Sequence, residues 1–289
     1  KPHAVVPNAA EEAEHEKAIK KLHALVLIEK SKGANTMWAN LFASAMSELF
    51  ETARAKKLKL RLTAEEWSET ARGFYLNGAQ EYRQCKDLEK DSPNEKVKIK
   101  KQFEAMYKEY QNAVDCYQHA IGMARSEGAD LATRLNVEPK AWFDMSYAYR
   151  QMKHYYESII VCQAFRSIFL PDNRKKWLPD PKSAEGQKFY TASVKHMIAE
   201  LDKLIVNTSA VIMDVLKQNA TAHNHPQDFW NRKLKGLILS ESDGGLLSGK
   251  EVKSLAYVKA QTEMDEAKGL SEAARNDLNS KTREENYNQ

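Results

Sequence analysis

The feature that most constrains this chain is how rarely its backbone is interrupted. Glycine (11) and proline (8) are scarce over 289 residues, too few for the many tight turns of a β-rich fold. Between the breaks, apolar residues recur at spacings of three and four, the period of a helix with one buried side. Met37, Leu41, Ala45 and Leu49 share one such face, with Trp38, Phe42 and Met46 beside them, and the spacing predicts that this face is buried. Capping signals punctuate the pattern. Glu11, Glu12 and Glu14 follow Pro7-Asn8, and acidic residues favour the positive end of a helix; that helix runs to Lys32, where Gly33 stops it. Another begins at Asn35 or Thr36. Thr63-Ala64-Glu65-Glu66 is a capping box that opens a third.

A fourth helix is expected over about Glu95–Arg125, ending by Gly128. Pro139 is expected to start a fifth that ends near Lys153, since proline suits a first turn. A sixth covers about Tyr155–Phe169, closed by Pro171. After the loop 173–183, one long helix is expected from Ala184 to Ala220. The remainder is less regular, with Gly244-Gly245 and Gly249 separating short helical patterns. The domain reading is therefore 1–222 as a helical-hairpin domain and 223–289 as a C-terminal extension. Only Lys56–Leu62, K-K-L-K-L-R-L, alternates with period two; it is too isolated to found a sheet and reads as a connector.

Charge and cysteine content narrow the function classes. An excess of four positive charges exerts no global pull toward nucleic acid. Cys85, Cys116 and Cys162 lack any C-x-x-C spacing, which gives neither a disulfide framework nor a zinc site. No stretch approaches the roughly 20 apolar residues of a membrane span, so the chain reads as soluble. It begins at Lys1, and its compartment is left open. Two glycosylation sequons, at Asn207 and Asn219, fall inside a helical pattern and carry little weight.

Two segments resemble the tetratricopeptide repeat, whose first helix follows W-x2-L-G-x2-Y and whose second carries A-x3-F before a closing proline. The better one reads Trp142-x2-Met145-Ser146-x2-Tyr149, then Ser158-x3-Cys162 with Phe165 and Pro171. An upstream pair reads Tyr75-x2-Gly78-Ala79-x2-Tyr82, then Ala113-x3-Tyr117-x2-Ala120, with both helices elongated. The resemblance implies an all-α fold of antiparallel helix hairpins, stacked as a right-handed superhelix or a helical bundle. It also implies a partner groove lined by first helices, here Lys140, Phe143, Asp144, Tyr147 and Arg150, with Asn77, Gln80 and Arg83 from the earlier unit. Family members that clamp a C-terminal carboxylate carry lysine and asparagine where this chain has Phe143 and Tyr147, so an aromatic-and-basic groove is implied instead.

No cofactor, metal or catalytic site is expected. Glu12-x-x-His15 has the spacing of a carboxylate-bridged iron site but lacks the second E-x-x-H that such a site needs. His223 and His225 are too few for a metal, and Asp243-Gly244 lacks the alternating ligands of a calcium loop. No phosphate loop or nucleophile elbow is present. The expected function is a non-catalytic scaffold or adaptor for a protein or peptide. The alternative is binding to nucleic acid or an anionic surface through Arg54, Lys56, Lys57, Lys59 and Arg61, through Lys96, Lys98, Lys100 and Lys101, or through Arg174, Lys175 and Lys176.

Overall fold

Where the sequence offers a cap, a helix begins. In the computed structural model, which describes residues 9–33, 36–126, 130–170 and 177–222, α1 spans Ala9–Lys32 and α2 spans Met37–Ala55. The Thr36 side chain accepts from the Ala39 amide at 3.1 Å to cap α2. Helix α3, Ala64–Asp91, opens on the full capping box: Glu66 N–H donates to Thr63 Oγ1 while Thr63 N–H donates to Glu66 Oε2. Helices α4 (Lys96–Ala124), α5 (Leu131–Gln151) and α6 (Tyr155–Phe169) follow, then α7 (Ala184–Phe189) and α8 (Lys195–Ala222). The described residues are all-α. None of these helices is long and apolar enough to cross a membrane.

Two units divide the chain, 1–153 and 154–289. The division falls inside the stretch 1–222 expected to be one domain, and residues 223–289, with His223, His225 and Asp243, lie outside the described residues. In the first unit consecutive helices pair, α1 on α2 and α3 on α4, while α3 also meets α1 and α5. Small residues set these approaches. A Cβ on Gly73 would lie 2.0 Å from the Ala43 carbonyl oxygen, so α2 and α3 cross almost backbone to backbone. Gly78 plays the same part against the Tyr110 ring of α4.

That crossing overturns the expected burial of α2. Its most closely packed face carries Ala39, Ala43 and Ser47, because only small side chains fit under Gly73, while Met46 is buried beside it in the core. Met37, at 72% exposure, Trp38 and Leu41 point outward instead. Leu49 and Phe50 stay half-buried against a core of Ile19, Val26, Met46 and Leu62.

The alternating connector behaves as its pattern suggests at one edge. After Lys57 turns the chain with a left-handed φ of 58°, the backbone amides of Lys59 and Arg61 donate to Glu12 and Glu16 of α1 at 2.9 and 2.7 Å. Leu60 and Leu62 pack into the core on the other side.

Pro139 is a second correction: it lies inside α5, two turns past the start at Leu131. A proline there removes one hydrogen bond and clashes with the preceding turn. Tertiary contacts hold those first turns in place regardless. Glu138, fully buried, accepts from Arg125 of α4 at 2.9 and 2.7 Å and from Arg134 one turn back at 2.5 Å. Thr133 donates to Glu65 of α3 at 2.5 Å. Trp142, one turn after Glu138, is buried beneath the Arg125 guanidinium, 5.9 Å from its ring centre.

In the second unit α6 is buried on nearly every side, including Ser158, Cys162, Phe165 and Phe169, and packs on α8, whose Leu201 and Leu204 are also buried. The expected long helix is real in extent but not uniform. A π-helical turn, Tyr190–Val194, separates α7 from α8. Just before it, Gly186 sits where a Cβ would meet the Asp180 carbonyl at 1.8 Å, so the incoming loop is pressed against α7. The sequence pattern carries no sign of the extra residue in that turn.

Candidate functional site

The residues that come together in the first unit are charged side chains from three helices, α1, α3 and α5, with polar partners on α2 and α4. On α3, Glu69 and Arg72 lie one turn apart within a run of buried positions, Ser68 to Phe74. Lys30, in the last turn of α1, and Lys140, on α5, both reach the same oxygen, Glu69 Oε1; the Lys140 contact measures 3.2 Å. Arg72 takes the other oxygen at 3.3 Å and also donates to the Asn40 side chain of α2. One helical turn beyond Lys140, Asp144 accepts a hydrogen bond of 2.5 Å from the Tyr117 hydroxyl of α4.

Electrostatics distinguishes these groups. Burial pushes the Glu69 carboxyl up, but Lys140, Lys30 and Arg72 outweigh it and hold the group at about 2. Lys30 is pushed down to about 8, first by burial and then by the neighbouring Lys140 ammonium, against the pull of Glu69. Asp144 rises above the usual carboxylate range because the protein packs around it, an effect stronger than the opposing pull of Lys140 and the Tyr117 hydroxyl. Burial likewise lowers His23 of α1. An arrangement of this kind stores an excess of positive charge around one buried carboxylate.

Of the expected groove residues, Lys140 and Asp144 join this cluster. Phe143 and Tyr147 lie beside it, half-buried, with ring centres 5.2 Å apart. Arg150 is half-buried on the same helix, while Gln80 and Arg83 are exposed on α3. Asn77 goes elsewhere: it donates to Ser47 Oγ at 3.3 Å and bonds Glu109, which places it among α2, α3 and α4. Sequence reasoning missed Lys30, Glu69 and Arg72. The available signal was a Glu and an Arg three apart in the middle of a buried helix, which charged side chains occupy only when paired.

The basic clusters are engaged in part by neighbours. Lys56 pairs with Glu11, Lys98 with Glu95, and Lys100 with Glu104. Arg54 donates to Asn112 at 2.9 Å. Arg174, Lys175 and Lys176 lie outside the described residues. The Glu12-x-x-His15 pair is absorbed locally, Glu12 by the connector backbone and His15 by the Glu11 carbonyl at 2.9 Å. Among the described residues, no three His, Cys, Asp or Glu side chains are grouped so as to hold a metal ion.

Compared with known proteins, the chain matches no family model, and neither a curated protein nor a solved structure is significantly similar to it.

Proposed function

We propose that this chain is a non-catalytic scaffold of tetratricopeptide-like hairpins that receives a protein or peptide on the face shared by α3 and α5. The observation that carries the reading is the way α3 touches both α1 and α5 while α1 pairs with α2 and α3 with α4. Successive first helices standing side by side is the arrangement that creates a lined groove in stacked hairpins. The half-buried Phe143–Tyr147 pair next to charged side chains supports it, since aromatic rings and arginine are enriched where partners bind most tightly.

Tyr147 and Arg150 lie three apart on α5 and share one helical face. Replacing both, Tyr147→Ala with Arg150→Ala, is expected to weaken a partner recovered by pull-down by about 2 kcal/mol or more, at an almost unaltered melting temperature. A stable double variant that keeps wild-type affinity would retire the groove. The nucleic-acid alternative forecasts the opposite pattern, in which Lys59 and Arg61 matter and affinity falls steeply with salt. The pairing of Lys56, Lys98 and Lys100 with glutamates weighs against it.

A further inference from the structure

The Glu69 cluster holds more cations than it uses. Lys30, Arg72 and Lys140 all face Glu69, and Asp144, the other carboxylate beside them among the described residues, is engaged by Tyr117. The remaining charged groups nearby are also occupied. Glu66 is spent in the Thr63 capping box, Glu65 accepts from Thr133, and burial keeps His23 biased toward its neutral form. An ammonium has three donors, and Lys30 and Lys140 each give one to Glu69. Their others have no partner among the described residues, and the two side chains stay 29% and 27% exposed while Glu69 is only 9% exposed. The cluster is thus closed on its acidic side and open on its basic side.

We propose that Lys30 and Lys140, bridged by Glu69, form a binding site for a carboxylate side chain of an acidic protein segment. The proposal rests on the groove reading for its location and deepens it by naming the chemistry of the partner. A singly charged carboxylate matches the small positive excess, whereas a dianionic phosphate would be repelled by Glu69 and Asp144 at close range. Two ammonium groups held near one glutamate oxygen repel each other, and a second anion relieves that repulsion. Phe143 and Tyr147 lie one and two turns along α5 from Lys140, on the same side of the helix, so an apolar side chain next to the acidic one completes the ligand.

The probe is a fluorescein-labelled peptide of alternating Glu and Leu, titrated with the full chain and read by anisotropy. Saturable binding is expected that weakens at least tenfold between 50 and 500 mM salt, as roughly a threefold fall in Debye length dictates. The double variant Lys30→Met with Lys140→Met is expected to lose at least tenfold in affinity; Arg72 remains to pair Glu69, which protects the fold. A measurement free of substitutions accompanies it. In the reductively 13C-methylated wild-type protein, the Lys30 and Lys140 signals should shift on peptide addition, and the Lys30 titration midpoint should rise. Unaltered affinity in the Met variant, shifts confined to other lysines, equal binding of an alternating Gln and Leu peptide, or tighter binding of inorganic phosphate at these lysines would each overturn the proposal. If the Glu–Leu peptide fails yet Tyr147→Ala with Arg150→Ala still releases the native partner, the groove stands and the carboxylate site falls. If the peptide binds through Lys30 and Lys140 while that variant retains its partner, the groove reading falls instead.

Discussion

Two buried glutamates, Glu69 and Glu138, are held by cations in opposite ways. Glu138 is fully enclosed, and both of its partners are arginines, from the last turn of α4 and from one turn earlier in α5. Glu69 has one arginine and two lysines, and the lysines come from helices 39 and 71 positions away. Guanidinium groups fit a carboxylate as a fork and close around it; ammonium groups are point charges that leave donors over. The first arrangement ties two helices together and presents nothing outward. The second ties three helices and retains exposed positive charge. A buried ion pair is therefore not by itself a sign of function, and the chemistry of its cations tells which kind it is.

The sharpest way to break this comparison is to remove each carboxylate in turn. Glu138→Ala removes the buried carboxylate that two arginines share and empties space beside Trp142, so it should destabilise the protein by about 3–5 kcal/mol in urea unfolding. A loss under 1 kcal/mol would mean that Glu138 does not pin the start of α5. Trp142→Ala should cost a similar amount, about 3–5 kcal/mol, as for large aromatic truncations in cores. Glu69→Gln should cost less, about 2–3 kcal/mol, because its lysines can turn toward water. Acid sharpens the contrast. A carboxyl held at about 2 rather than at its ordinary 4.5 contributes stability that is fully present above pH 4.5 and is lost as pH falls toward 2. Wild type should therefore converge on Glu69→Gln across that window, and parallel curves would show that Glu69 is not the group titrating. The smallest effect is expected on the outward side of α2, where Leu41→Ser should change stability by less than about 0.5 kcal/mol; a larger loss would mean that this face is covered.

Elements fixed by local chemistry were legible from the residues. Thr36 and the Thr63–Glu66 box start their helices where their side chains can reach exposed amides, a matter of three residues. Pro139 misled because its usual meaning is local, whereas the turns before it are secured by Arg125 on another helix. The orientation of α2 misled for the same reason. A stripe of Met37 and Leu41 looks like a core face until Gly73, 30 positions beyond Ala43, lets the small side of the helix come closer. Of the site, the α5 half was visible through Lys140, Asp144 and the aromatic pair. Lys30, Glu69 and Arg72 were not, since long-range pairing leaves no periodic trace.

The connector between α2 and α3 carries a consequence of a different kind. Leu58, Leu60 and Leu62 alternating with basic residues is the sort of extended strip that recruits a second strand, and free backbone donors along such a strip are where aggregation begins. Here the amides of Lys59 and Arg61 are already taken by Glu12 and Glu16, and Leu60 and Leu62 pack into the core. Helix α1 thus acts as a guard rail, with its glutamates standing where a neighbouring strand would dock. Because side-chain carboxylates rather than backbone carbonyls occupy those positions, the strip is capped by groups that cannot themselves continue a sheet.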